Sequence, residues 1–218
     1  MSTPAGRTLL HGAAGAIEVA AAIPPAPVAV AVIAHPHPLF GGTMDNKVVT
    51  TVARAFQEAG AATFRFNFRG VGASEGPHDE GRGETDDMVQ VIEHARAVAG
   101  ALPLMIAGFS FGGAVATRAS DRVDFQRLLL VAPGFRRLTE GGLGETPDPA
   151  DPNLGAPGRH THANTVVIHG DLDETVPLSD SIAWATVREV PVVVVAGGEH
   201  FFHRKLHILR EVVAHWAR

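Results

Sequence analysis

Apolar positions along this chain follow two rhythms. Short, nearly continuous apolar runs alternate with longer segments in which apolar residues recur at helical spacing. Val28-Ala29-Val30-Ala31-Val32-Ile33-Ala34 is of the first kind and predicts a strand buried on both faces. Ala16 to Ala20 predicts an edge strand. Asp45 and Asn46 then offer a helix cap, Val48, Val49, Val52, Ala53 and Phe56 share one helical face, and Gly60 closes the element. Ala62 to Phe68 alternates in the manner of a strand, and the glycine-rich loop Arg69 to Gly76 follows. From Glu84 onward, Met88, Val91, Ile92, Ala95 and Ala99 line one side of a helix. Leu102 to Ala107 predicts a buried strand and Ala114 to Ala119 a helix behind it. Arg127 to Ala132, Thr165 to His169 and Val192 to Val195 are further strands, with a helix over Leu178 to Arg188. A last helix runs from Arg204 to Arg218, with Leu206, Leu209, Val213 and Trp216 inward.

Strands and helices alternating over most of a chain predict an α/β domain: a mostly parallel sheet with helices on both faces. Sites in such sheets form beyond the carboxyl ends of the strands. One stretch breaks the rhythm. From Pro133 to Ala163 the chain is rich in Gly, Pro, Asp and Thr. Residues 134–163 are therefore expected to form a long loop or small lid over the top of the sheet, with room for a short helix.

Composition adds bounds. The chain has 218 residues, enough for one α/β domain over 1–218. Its net charge of −5 comes without any Lys/Arg cluster, so no nucleic-acid footprint is expected. The absence of cysteine excludes disulfides and thiol catalysis. Met1 to Gly15 lacks a basic start followed by an apolar run, and the longest apolar stretch, Pro24 to Ala34, is too short to span a bilayer. The expectation is a soluble cytoplasmic enzyme of undetermined oligomeric state.

The densest chemical signal is Gly108-Phe109-Ser110-Phe111-Gly112-Gly113, placed between a predicted strand and a predicted helix. A G-x-S-x-G at that junction is a nucleophile elbow. The turn is so tight that the residues two before and two after the serine must be nearly devoid of side chain, and it pushes the hydroxyl out at the sheet edge. A serine hydroxyl needs a base to take its proton and a carboxylate to orient the base. The next strand ends in order are His169-Gly170-Asp171-Leu172-Asp173-Glu174 and Gly197-Gly198-Glu199-His200. They supply Ser110, Asp173 and His200 in the chain order that this topology requires. Asp173 is preferred because a turn after Gly170 brings it toward the histidine. Asp171 and Glu174 share the loop and are the other candidates; Asp171 is the main alternative, although it is better suited to capping that turn through its own backbone.

An oxyanion hole needs a backbone N–H from the loop His35-Pro36-His37-Pro38-Leu39-Phe40-Gly41-Gly42, and prolines have none. That leaves His37 or Leu39. His37 is preferred, acting through its backbone and paired with the N–H of Phe111. Phe40, Phe109 and Phe201 are candidates to line an apolar acyl site. A zinc site at His200, His203 and His207 has usable spacing, but it lacks HExxH and consumes the histidine that the serine needs. No metal is expected. Arg69-Gly70-Val71-Gly72 lacks the full dinucleotide fingerprint and reads as a tight turn.

Together, His35-Pro36, Gly41-Gly42-Thr43-Met44, Asn46-Lys47-Val48-Val49, Arg65 to Gly72, Ala107 to Gly112 and His200-Phe201-Phe202-His203 resemble the α/β-hydrolases, and among them small bacterial members with little or no cap domain. The resemblance implies the α/β-hydrolase fold, a Ser110-Asp173-His200 triad, no cofactor, and activity on acyl bonds, most often carboxylic esters. Many relatives carry His-Gly where this chain has His35-Pro36. An amidase, peptidase or thioesterase would use the same three residues, and a non-catalytic binding module could use the same fold.

Overall fold

The structure, a computed structural model, describes residues 6–137, 155–156 and 158–218. Among them, eight strands form one sheet: β1 (Gly6–Gly12), β2 (Gly15–Ala22), β3 (Ala29–Ala34), β4 (Ala61–Phe66), β5 (Leu104–Phe109), β6 (Arg127–Val131), β7 (Thr165–Gly170) and β8 (Val192–Val195). Their spatial order is β1-β2-β4-β3-β5-β6-β7-β8. The pairings of β1 with β2 and β2 with β4 are antiparallel, and those from β4 through β8 are parallel. Five helices cover it: α1 (Lys47–Glu58), α2 (Arg82–Ala99), α3 (Phe111–Ser120), α4 (Leu178–Thr186) and α5 (Leu206–Trp216).

Every residue of β3 is buried, because alternate side chains serve different faces of the sheet. Val30, Val32 and Ala34 join Met88, Val91 and Ile92 of α2, Ala114 and Val115 of α3 and Trp184 of α4. Ala29, Ala31 and Ile33 join Val48, Val52 and Phe56 of α1 and Leu209 and Val213 of α5. The predicted face of α1 is the buried one, and Asn46 caps the helix by accepting the Val48 N–H at 2.8 Å. In α5, Leu209 and Val213 are buried, while Leu206 and Trp216 are half-buried at its ends.

Two expectations need correction. Ala16–Ala20 does not lie at an edge. β2 pairs with β1 on one side and β4 on the other, and β1 is the edge strand. Arg7, Thr8 and Leu9 of β1 are all exposed, so no alternation marks this strand in the sequence. The alternation read into Ala62–Phe68 does not correspond to a wet face either. Thr63 is buried, its hydroxyl accepting from Gln57 Nε2 at 2.7 Å, and Asn67 lies past the strand end and is also buried.

The strand order reverses between β3 and β5: the chain leaves β3 for β4 on one side and returns through α2 to β5 on the other. A crevice at the carboxyl end is the geometric result. Most of the expected 134–163 loop or lid lies outside the described residues. Its near end is Phe135–Arg137, a 3₁₀ turn whose Phe135 stacks on Trp184 at 5.1 Å. Its far end is held at the opposite end of α3, where the Ala156 N–H donates to Asp121 and the Arg159 guanidinium donates to the Ser120 carbonyl.

Candidate active site

Ser110 joins β5 to α3 with φ 56° and ψ −122°, a conformation that an L-residue holds only when its surroundings impose it. The surroundings do so through the backbone. The Ser110 N–H donates to Val131 O at 2.9 Å, and the Ser110 carbonyl accepts from Gly113 N at 2.9 Å and Gly134 N at 2.8 Å. The flanking glycines are required by space. A Cβ on Gly108 would overlap the Gly112 carbonyl, and one on Gly112 would overlap the His35 carbonyl. The first turn of α3 therefore packs backbone to backbone against the loop after β3.

The structure brings the three widely separated residues together. His200 Nε2 lies 3.1 Å from Ser110 Oγ, and His200 Nδ1 lies 2.7 Å from Asp173 Oδ2. The other Asp173 oxygen accepts the N–H groups of Thr175 at 2.9 Å and Val176 at 2.8 Å. Burial alone would push the Asp173 carboxyl up. Hydrogen bonds from His169, His200 and the Val176 N–H more than reverse this and hold it well below the usual carboxylate range, so it is ionised near neutrality. Asp171 points elsewhere. Its Oδ1 accepts the Gly197 N–H at 2.6 Å, tying its turn to the histidine loop and not capping its own backbone.

The histidine loop is held by its neighbour. Glu199 accepts the N–H groups of Phe201 and His203, and its burial is outweighed by these bonds, leaving its carboxyl below the ordinary value. Phe202 is buried at φ 54°, and its strain fixes the turn that follows His200. Phe109 is also buried, its ring 4.9 Å from the His200 imidazole, so it supports that ring from beneath. Phe201 touches His200 from the solvent side and is 40% exposed. His203 pairs with Glu199 on the surface, and His207 is exposed. Among the described residues, no group of three or more His, Asp or Glu could hold a metal.

Across the crevice, the loop after β3 is pinned by His35, to which the sequence alone assigns no role of its own. Its Nε2 accepts the Phe68 N–H at 2.9 Å, and its Nδ1–H donates to Pro36 O at 2.6 Å. Burial pushes this imidazole down to about 4, so it is neutral in its working form. His37 follows and starts the 3₁₀ turn Pro38–Phe40. Its ring packs 4.7 Å from Phe111, so the two candidate oxyanion donors are neighbours. The N–H of Leu39, the alternative donor, is engaged by His37 Nδ1 at 3.3 Å. Phe40 stands 69% exposed at the rim. The glycine-rich Arg69–Gly76 loop is structural: a Cβ on Gly72 would overlap the Glu18 carboxylate, which binds Asn67 Nδ2 and the Ala73 N–H.

The most informative residue that the sequence pattern does not single out is His169, at the end of β7. It is fully buried, with Nε2 3.3 Å from Asp173 Oδ2. Its position four residues before the carboxylate, at the tip of β7, was the available signal.

The chain is similar to known proteins over most of its length. Residues 26–145, more than half of the chain, match the family described as serine aminopeptidase, S33. The fold is similar to that of an α/β serine hydrolase homologue from Coxiella burnetii, 35% identical with a TM-score of 0.82, covering 98% of this chain and 97% of that one. It is equally similar to XC6422 from Xanthomonas campestris, described as an α/β serine hydrolase without lid, at 35% identity and TM-score 0.82, covering 98% and 93%. The uncharacterized protein RP471 of Rickettsia prowazekii is 36% identical over 128 residues, 56% of this chain; the match spans about half of that protein's length (53%). The chain has the α/β-hydrolase fold and belongs to the α/β serine hydrolases, within the family described as serine aminopeptidase, S33.

Proposed function

We propose that this chain hydrolyses carboxylic esters through a covalent acyl-enzyme, with Ser110 as nucleophile, His200 as general base and acid, and Asp173 as the carboxylate that orients it. The reading rests on one observation: an unbroken line of hydrogen bonds from Ser110 Oγ through His200 to Asp173, at 3.1 and 2.7 Å. As Ser110 Oγ attacks the acyl carbon, its proton passes to His200 Nε2. The imidazolium that forms is stabilised by ionised Asp173. The negative charge on the carbonyl oxygen is met by the backbone N–H groups of His37 and Phe111, each such donor contributing about 3 kcal/mol. His200 then protonates the departing alcohol, and a water molecule, deprotonated by the same imidazole, releases the acid.

The rim supports an apolar substrate. Leu39 and Phe40 on one side and Leu172 and Phe201 on the other are all large and 40–69% exposed. The acyl part is proposed to lie between Phe40 and Phe201, with Phe109 beneath the imidazole. The proposal needs no cofactor and keeps the small-molecule substrate and cytoplasmic setting expected from the sequence.

The family description favours a second reading, hydrolysis of an aminoacyl amide by the same residues. A panel of p-nitrophenyl esters of increasing chain length, beside aminoacyl p-nitroanilides and thioesters, separates the two. Ester turnover well above anilide turnover is expected, and the reverse order overturns the ester assignment. Ser110→Ala should lower kcat by about 10⁶ with the fold intact. A fluorophosphonate that leaves Ser110 unmodified would point to a non-catalytic binding protein.

A further inference from the structure

We propose that His169 is a positioning residue that acts through Asp173 to set the basicity of His200. The proposal rests on the hydrolase reading above. Its geometry is a second histidine on the same carboxylate oxygen. His200 Nδ1 approaches Asp173 Oδ2 at 2.7 Å, and His169 Nε2 approaches it at 3.3 Å from the buried side. His169 Nε2 also lies 3.0 Å from Val176 O, and Nδ1 lies 2.8 Å from Ser181 Oγ.

The partners fix the tautomer. A carbonyl oxygen and an ionised carboxylate can only accept, so His169 Nε2 carries the proton and shares it between them. Nδ1 then accepts the Ser181 hydroxyl proton. The result is a buried chain that runs from α4 to the nucleophile: Ser181, His169, Asp173, His200, Ser110. Because the proton of His169 draws on the same oxygen that stabilises the His200 imidazolium, it reduces the charge available to that cation. His169 also holds the Val176 peptide, whose N–H fixes the other Asp173 oxygen, so it restrains the carboxylate from both ends.

Three other carboxylates on the surrounding elements are engaged elsewhere. Asp180, next to Ser181 on α4, is engaged by the Arg136 guanidinium at 2.5 and 2.9 Å. Asp171 is directed at the Gly197 N–H, and Glu199 at the N–H groups of Phe201 and His203. What faces His200 Nδ1 is Asp173, with His169 behind it.

The test compares wild type with His169→Leu, which removes the donor, and His169→Gln, whose side-chain amide can restore one near Nε2. The first readout is the pH profile of kcat/KM on p-nitrophenyl butyrate. With His169→Leu, the acid limb should move to higher pH by about half a unit, because Oδ2 then serves His200 alone, while kcat falls roughly three- to tenfold and KM stays within about twofold. His169→Gln should keep the wild-type limb. A role in packing alone would lower activity without raising the limb. A limb that stays put or moves down in His169→Leu, or that moves alike in Leu and Gln, overturns the proposal. If His169→Leu does not fold, His169→Met carries the same comparison with a flexible apolar side chain. The second readout is the NMR titration of the His200 ring, assigned by its loss in His200→Gln, which should show the same upward move of its midpoint. It needs no turnover. A wild type that neither cleaves esters nor takes up fluorophosphonate therefore sinks the hydrolase reading, while the titration still decides the role of His169.

Discussion

The strain at Ser110 shows most clearly how one residue divides stability from reactivity. Its φ of 56° with ψ −122° is open to glycine but costs an L-residue about 1–3 kcal/mol. The tight packing of Gly108 and Gly112 against neighbouring carbonyls keeps the turn from relaxing. Ser110→Gly should therefore gain about 1 kcal/mol after the extra freedom of glycine in the unfolded chain is set against it. Ser110→Ala keeps the Cβ and should not gain. Both lack the hydroxyl, so the difference between their urea midpoints reports the strain less the unfolded-chain cost of glycine; equal midpoints would show that the strain does not exceed that cost of about 1 kcal/mol. At this scale the three residues that the structure brings together, and that are proposed as nucleophile, base and carboxylate, were legible because each follows a strand directly in chain order. His35 and His169 were not, because a buried histidine leaves no trace in apolar periodicity. Only the partners of its two nitrogens, Phe68 N–H and Pro36 O in one case and Ser181, Val176 and Asp173 in the other, reveal what it does.

At the scale of elements, the helices and inner strands follow from pattern because each has a face or a whole surface to bury. α1 presents Val48, Val49, Val52, Ala53 and Phe56 to the sheet, and β3 is buried throughout. β1 has no such need. It is held by its ladder with β2 and by Arg7, which reaches Glu18 at 2.9 Å and Asp45 at 2.7 Å, so sequence pattern could not announce it. The loop between β8 and α5 is a third case, set by local hydrogen bonds and not by burial alone. Glu199 holds the N–H groups on both sides of Phe202, and Phe202 is locked at φ 54°. Removing that carboxylate should let His200 sample positions out of reach of Ser110. Glu199→Ala is expected to lower kcat roughly tenfold with KM little changed, since an interaction that aligns the reacting groups is lost and not one that binds substrate. Glu199→Gln, which retains an acceptor for one N–H, should fall between the two. Stopped-flow measurement of Ser110 phosphonylation is a direct check, and rates equal to wild type in both variants would remove Glu199 from the alignment of the base.

For the whole molecule, buried histidines set the response to acid. Burial pushes His35 and His160 down from 6.5 to about 4. Each has a structural reason to stay neutral. His35 Nε2 accepts the Phe68 N–H, a bond that protonation would abolish. His160 is fully buried beside Phe125 and Trp184, with Arg159 and Arg188 disfavouring its cation, and its Nε2 lies 2.8 Å from Ser120 Oγ. The unfolded chain takes up these two protons near pH 6.5, whereas the folded chain resists until about pH 4. Stability is thus lost as pH falls through that window, by up to roughly 3 kcal/mol for each histidine, and the loss levels off below it. Asp173 acts in the same direction but lower. Its folded value is depressed below 3.8, so its contribution is present above that pH and is lost as pH falls through the folded value. The prediction is a decline in unfolding free energy between pH 6.5 and 4, reaching roughly 2–3 kcal/mol per pH unit mid-window, since each group contributes up to about 1.4. Urea titrations at half-unit steps measure this slope. His160→Gln keeps a polar group near Ser120 without a titrating ring, and it should remove about half of the slope while leaving turnover at pH 7.5 unchanged, because His160 sits at the end of α3 opposite Ser110. A slope identical to wild type in that variant would show that the acid sensitivity arises elsewhere.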